Sequence, residues 1–189
     1  MHKKVSALFW KNATPSGVSY PMRVESDEAI AQLLVQAKRI ALVGASAKPD
    51  RPSHRVMQFL LDEGYEVLPI NPGLAGQRLL GQTVHASLSD LPSRVDLADI
   101  FRDAASLPEV TQDVVAAGIP AMWTQLGVVH SEAEHAAVDA GLQVVVDRCP
   151  AIEIPRLRGA GLLPAGPLRP ETLSKNLKLL TATQPLPAD

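Results

Sequence analysis

The chain has 189 residues, 46% of them apolar and 20% charged, and its formal net charge is -2 at neutral pH. This composition predicts one globular domain, and no apolar run approaches the roughly 20 residues that a membrane-spanning helix needs. A chain without net positive charge lacks the basic footprint of a general nucleic-acid-binding protein. The single cysteine, Cys149, excludes an intramolecular disulfide and fits a reducing cytoplasm.

The two ends of the chain differ from its middle. The amino-terminal residues carry basic side chains and an apolar patch too short for a signal peptide, and Met22 is an alternative to Met1 as the start of translation. From Pro164 onward the chain is rich in proline, with a short amphipathic piece at Glu171–Leu180, and we expect a surface arm or disorder there. Three parts are therefore predicted: a tail at 1–25, a domain at 26–158 and an arm at 159–189.

Helical and strand patterns alternate along the predicted domain. Apolar residues at helical spacing follow Ser26, later helix patterns end at glycine, and two Ser-x-x-Glu capping boxes begin at Ser106 and Ser131. This alternation predicts an α/β fold, a Rossmann-like, doubly wound parallel sheet of about five strands in three αβα layers. The predicted strands are Ile40–Val43, Glu66–Ile70, Val95–Phe101, Ala121–Thr124 and Leu142–Asp147.

The first strand runs directly into a turn of small residues. Gly44, Ala45 and Ser46 precede a helix that begins near Ser53, and a strand, a tight turn and a helix N-terminus together favour a bound phosphate. The same glycine also suits a turn that serves packing alone. The later positions of the G-x-G-x-x-G fingerprint are occupied here by Ser46 and Pro49, so the turn by itself does not indicate a dinucleotide.

The end of the second strand argues against NAD. A dinucleotide site places an acidic residue there to hold the ribose hydroxyls, whereas this chain has Asn71 followed by Pro72.

Four cationic residues fall at or near the carboxyl ends of the predicted strands. Each one taken alone is readily a solvated surface charge, but four at one edge favour a ligand with several phosphates. They are Lys48, Arg51, Arg102 and Arg148.

No set of residues predicts catalysis or a metal site. The chain has no nucleophile elbow, Walker loop or kinase motif, and its His and Cys residues lack zinc spacing. Cys149 follows Arg148, which leaves two interpretations open, a thiol of low pKa or a buried structural thiol.

Five segments together resemble the small stand-alone CoA-binding proteins, whose domain is similar to the CoA-binding domain of the succinyl-CoA synthetase alpha subunit. The resemblance covers roughly 27–158. The segments are VGASAKPDRPSH at 43–54, GYEVLPINP at 64–72, VDLADIFR at 95–102, MWTQLGVV at 122–129 and VVVDRCPAIE at 144–153.

The resemblance implies coenzyme A, or an acyl-CoA, as the ligand. It implies phosphate binding at the glycine turn, a loop closing over the pyrophosphate, walls around the adenosine, and a path for the pantetheine arm. With the cations included, the expected binding residues are Gly44, Ala45, Ser46, Lys48, Arg51, Pro52, Ser53, Asn71, Pro72, Phe101, Arg102, Gln125, Gly127 and Arg148.

The resemblance brings no reaction, because the phosphohistidine of the synthetase belongs to a domain that has no counterpart in this sequence. We expect a cytoplasmic CoA-binding protein, monomeric or a small homo-oligomer, with a carrier or regulatory role and no nucleic-acid or membrane partner. Two alternatives stay open: an NAD(P)-linked oxidoreductase, and a CoA-linked redox sensor that uses Cys149.

Overall fold

A computed structural model of the chain describes residues 23–181. None of the helices in this range is long and apolar enough to cross a membrane. The helices are α1 (Asp27–Gln36), α2 (Pro52–Asp62), α3 (Leu107–Ala116), α4 (Ser131–Asp139), α5 (Pro150–Gly159) and α6 (Pro170–Thr181). The strands are β1 (Arg39–Val43), β2 (Glu66–Ile70), β3 (Arg78–Leu79), β4 (Gln82–Thr83), β5 (Leu97–Ile100), β6 (Ala121–Thr124) and β7 (Gln143–Val145).

Five strands form one parallel sheet in the order β2-β1-β5-β6-β7, and β3 pairs with β4 in a separate antiparallel hairpin. The chain winds outward from β1 to β2, then returns to place β5 on the other side of β1. The order of the strands therefore reverses between β1 and β5, and the carboxyl ends of these two strands flank the crevice where such sheets bind ligands. The predicted Rossmann-like fold is confirmed.

The sheet is buried on both faces, as its apolar strands predict. Alternate residues of β1 point to opposite layers: Ile40 and Leu42 join one core cluster, and Ala41 and Val43 join the other. The two layers fix the register of the central strands, because a slip by one residue would exchange their faces.

The sequence located the starts of α3 and α4 but not the groups that cap them. Ser106 makes no capping bond to α3, and its own amide donates to Asp103 Oδ1 at 2.9 Å instead. At α4 the cap is His130, whose amide donates to Glu134 Oε1 at 2.9 Å. Both predicted capping boxes are therefore wrong in detail: an aspartate upstream competes for Ser106, and His130 takes the place of Ser131.

Helix α5 was not predicted. Pro150 and Pro155 both lie within it, and proline inside a segment is ordinarily a sign against helix. Pro150 occupies the first turn, where its missing amide costs nothing, and Ile154 and Leu157 are buried against the core. The free energy gained by burying the apolar face of α5 therefore exceeds the cost of placing Pro155 inside the helix.

The chain beyond α5 is joined to the domain by buried polar contacts. The predicted amphipathic piece forms α6, and Leu163 and Leu168 are buried in the segment that leads to it. The carboxylate of Glu63 accepts hydrogen bonds from Arg158 Nη2 at 2.9 Å and from the Leu168 amide at 3.1 Å. Residues 1–22 and 182–189, which include most of the predicted tail, lie outside the described residues.

Candidate functional site at the carboxyl edge of the sheet

The turn after β1 is built tightly against its neighbours. Gly44 has a φ of +92°, and a Cβ at this position would overlap the carbonyl oxygen of Phe101. The amides of Gly44 and Ala45 both donate to the carbonyl of Ile70, at 3.0 and 3.1 Å. The turn therefore requires glycine both for its conformation and for the close approach of the β5 end.

Asn71 fastens this turn to the end of β2. Its Nδ2 donates to the carbonyl of Ala45 at 2.7 Å, and its Oδ1 accepts from the amide of Gly73 at 2.8 Å. Ala45 itself is buried in the core. The Nδ2 end of Asn71 therefore holds the turn after β1, a role that an acidic side chain would not perform because a carboxylate has no N–H to donate. The Oδ1 end orders the loop of Asn71 itself.

A cleft of about 480 Å³ opens at the switch point between β1 and β5. The structure brings five of the predicted site residues together in its lining: Gly44, Asn71, Pro72, Phe101 and Arg102. Glu109 and Asp113, on the exposed side of α3, also line the cleft and were not identified from the sequence. Their spacing of i, i+4 was the available signal, because it places both carboxylates on one helical face.

The loop between the turn and α2 offers donors without protein acceptors. Among the described residues, the amides of Ser46 and Ala47 have no hydrogen-bond partner, and α2 starts after Arg51 without a side-chain cap. The hydroxyl of Ser53, on the first turn of α2, is similarly without a partner within 23–181 although the residue is 5% exposed. Free amides beside a helix N-terminus favour an anion.

Three of the four predicted cations form no salt bridge in the described part of the chain. Lys48 and Arg51 are exposed in the loop before α2. Arg102 lies beside Gly44 with a long contact of 3.5 Å to Ser106 Oγ, and its charge helps to lower the pKa of the adjacent Asp103. Arg148 differs, since its Nη1 lies 3.3 Å from the carboxylate of the buried Glu153. Arg148 is thus engaged in an ion pair within the protein, and the convergence of the four cations on one ligand stays a prediction.

The loop after β6 is directed partly inward. The side chain of Gln125 is buried, and its Nε2 donates to Asp99 Oδ1 at 2.6 Å. The amide of Gly127 donates to Asp147 Oδ1 at 2.7 Å, which ties this loop to the one after β7. The side-chain amide of Gln125 is thus engaged with a buried acid, and its place beside a pantetheine arm stays a prediction.

Asp99 is a buried acid that the sequence analysis did not identify. It is fully buried on the central strand β5, and its Oδ2 has no hydrogen-bond partner among the described residues. Burial raises the pKa of this carboxyl to about 7, and the hydrogen bond from Gln125 opposes the rise. The signal in the sequence was an acidic residue within an otherwise apolar strand.

Cys149 is a buried thiol at the start of α5. Burial is the main cause that raises its pKa, and the nearby Asp99 charge adds to it. A raised pKa leaves less thiolate at neutral pH and therefore less reactivity. Of the two interpretations of Cys149, the structure favours the structural thiol. The described residues contain no group of three or more His, Cys, Asp or Glu side chains placed to hold a metal ion.

The fold and the site define an α/β protein with a tight glycine turn after β1 and an adjoining cleft at the switch point of its sheet. The family model described as "CoA binding domain" matches residues 38–155, and the chain belongs to this family. Its relatives include a small protein that the chain matches over nearly the whole of that protein's length, and larger ligases that it matches over one region only.

The Bacillus subtilis "Uncharacterized protein YneT" is 35% identical over 128 residues, which are 68% of this chain and 93% of YneT. A Pyrococcus furiosus protein, "Acetate--CoA ligase [ADP-forming] I subunit alpha", is 30% identical over 92 residues; these are 47% of this chain but only 20% of the ligase subunit. A solved Thermus thermophilus structure, "cell-free ID.343", is 41% identical with a TM-score of 0.68 and covers 70% of this chain and 99% of its own.

Proposed function

We propose that the protein binds coenzyme A, free or as an acyl thioester, across the carboxyl edge of its sheet. The observation that carries the proposal is the set of donors around the first turn. Within residues 23–181, three cations form no salt bridge and two backbone amides have no hydrogen-bond partner. Membership of the CoA-binding family and the similarity to part of an acetate-CoA ligase support coenzyme A over other phosphate compounds.

The pyrophosphate lies at the N-terminus of α2. There the amides of Ser46 and Ala47 and the hydroxyl of Ser53 donate to phosphate oxygens, and Arg51 and Lys48 close over the outer side. Charge-assisted hydrogen bonds of this kind are stronger than neutral ones, so this part of the ligand supplies most of the polar binding energy.

The adenosine occupies the cleft at the switch point. Phe101 and Pro72 provide apolar walls, and Arg102 lies at the mouth beside the turn. Glu109 and Asp113 are the acceptors available to the exocyclic amine of the adenine, which is a hydrogen-bond donor. The pantetheine arm continues along the edge, past the loop that contains Gln125 and Gly127.

The proposed activity is binding, in a carrier or regulatory role. Among the described residues, the cleft is lined by apolar walls, Arg102 and carboxylates, and this lining holds no paired nucleophile and base of the kind that acyl transfer requires. The raised pKa of Cys149 also gives no support to a role as redox sensor.

Isothermal titration of the full chain with coenzyme A and, separately, with NADPH tests this function. We expect saturable binding of coenzyme A and none of NADPH, because Ser46 and Pro49 replace the later glycines of the dinucleotide fingerprint. The absence of both heat and thermal stabilisation at millimolar coenzyme A would contradict the proposal, and protection by NADPH alone would favour the oxidoreductase.

A further inference from the structure

Three exposed apolar side chains lie on the loops and helix starts that follow β6 and β7. Leu126 is 59% exposed, Val129 is 48% exposed and Ile152 is 53% exposed. They are half of the six large apolar residues that stand exposed within the described part of the chain. We call these three residues the apolar rim.

Hydrogen bonds of the neighbouring residues keep Leu126, the first member of the rim, exposed to solvent. Val128 donates its amide to the carbonyl of Gln125 at 2.9 Å, and Gly127 has a φ of +76°, which together form a turn with Leu126 at its second position. Gln125 is anchored inward on Asp99, so its neighbour Leu126 projects outward.

The bond from Gly127 to Asp147 joins the loop after β6 to the loop after β7, and α5, with Ile152 in its first turn, follows directly. The backbone on this side is therefore fixed before any ligand arrives. A fixed apolar surface binds at a lower cost in conformational entropy than a mobile one.

The rim lies at the distance that the thiol end of coenzyme A reaches. Neighbouring strands are about 4.8 Å apart, so the ends of β6 and β7 lie about 10 and 14 Å from the phosphate turn after β1. A pantetheine arm that starts at the pyrophosphate and runs along the edge spans this distance when extended. Its thioester then lies at the rim.

We infer that the apolar rim receives the acyl chain, and that the protein prefers coenzyme A thioesters of medium-length apolar acids to free coenzyme A. This inference rests on the proposed function and specifies its ligand class. The apolar chain covers side chains that otherwise face water, and each buried methylene contributes to affinity. A short or charged acyl group leaves the rim uncovered.

Titration calorimetry with coenzyme A, acetyl-CoA and hexanoyl-CoA tests the inference on the full chain. We expect hexanoyl-CoA to bind about tenfold more tightly than acetyl-CoA, since its four additional carbons are buried only in part. Leu126→Ser and Ile152→Ser should each reduce this ratio to about threefold or less while the affinity for free coenzyme A stays unchanged. Val35→Ser is the matched control, because Val35 is 43% exposed on α1 and lies outside the rim.

The outcomes separate the two proposals. Equal affinity for all three ligands in the wild type would overturn the acyl preference and leave coenzyme A binding intact. A chain-length preference that survives Leu126→Ser and Ile152→Ser together would overturn the assignment to the rim. The absence of binding by any of the three ligands would overturn the proposed function and this inference with it.

Discussion

The carboxyl edge of the sheet has two halves, which differ in whether their polar groups are bonded to other groups of the protein. In the open half, after β1, β2 and β5, Lys48, Arg51 and Arg102 form no salt bridge among the described residues. In the tied half, after β6 and β7, Gln125 is bonded to Asp99, Gly127 to Asp147 and Arg148 to Glu153. The same position on a fold thus leaves charged side chains free of salt bridges in one half and bonds polar groups to the protein in the other, and only the partners of each residue distinguish them.

The close packing of the open half is tested by Gly44→Ala. A Cβ there overlaps the Phe101 carbonyl and the residue needs a positive φ, so we expect the free energy of unfolding to fall by about 3–5 kcal/mol. Gly76→Ala is the control, because Gly76 also has a positive φ, of +81°, but nothing lies within 4 Å of its Cβ position. It should lose only about 1–2 kcal/mol in urea denaturation. Equal losses would show that the close approach to Phe101 is unimportant.

The buried acid on β5 that holds the tied half through Gln125 is tested by Asp99→Asn. The pKa of Asp99 is near 7 in the folded protein and 3.8 is its ordinary value, so the folded state binds more protons between these values. Stability therefore falls as pH rises from about 4 to about 7, by roughly 2–4 kcal/mol, and stays low above that range.

In the Asp99→Asn variant this contribution to the pH dependence should disappear. Chemical denaturation of both proteins across this pH range measures the difference. Parallel stability profiles for the two proteins would mean that Asp99 titrates normally.

The functional contrast between the halves is tested by comparing two arginines. Arg51→Ala should weaken coenzyme A binding by about 1.5–3 kcal/mol, the range for a hydrogen bond to a charged group. Arg148→Ala should change the affinity by less than about 0.5 kcal/mol, because Arg148 already pairs with Glu153. Calorimetry that found the larger loss in Arg148→Ala would reverse the assignment of the two halves.

The smallest expected effect concerns the link between the open half and β2. Asn71→Ala removes one side-chain hydrogen bond to the turn, at the Ala45 carbonyl, and one to the Gly73 amide in its own loop, and we expect a loss of about 1–2 kcal/mol in stability. Coenzyme A binding should weaken as well, since the turn is then less fixed. Thermal denaturation with and without ligand measures both effects, and an unchanged protein would remove Asn71 from the positioning role.

The sequence predicted the fold well because strand alternation and glycine-ended helices are local patterns. It missed α5 since Pro150 and Pro155 argue locally against a helix, whereas burial of Ile154 and Leu157 depends on the whole core. The capping residues were misplaced for a related reason: His130 gained its role from Glu134, a pairing that only the folded backbone reveals.

The candidate site was predicted as a list of strand ends, and the structure divides that list. Gly44, Asn71, Pro72, Phe101 and Arg102 meet in one cleft, as parallel strand ends should. The sequence could not show that Arg148 pairs with Glu153 or that Gln125 turns inward to Asp99, because both depend on contacts between distant elements.

The central claim is that coenzyme A lies on the open half of the edge. Titration of the isotopically labelled protein with coenzyme A, followed by amide chemical shifts in NMR, locates the ligand directly. The account predicts that the amides of Ser46, Ala47 and Phe101 shift most and saturate together. The amides of Ala136 on α4 and of Ala140 at its C-cap, which lie outside the lining of the cleft, should stay in place. Shifts confined to α4, or no shifts at millimolar coenzyme A, would contradict it.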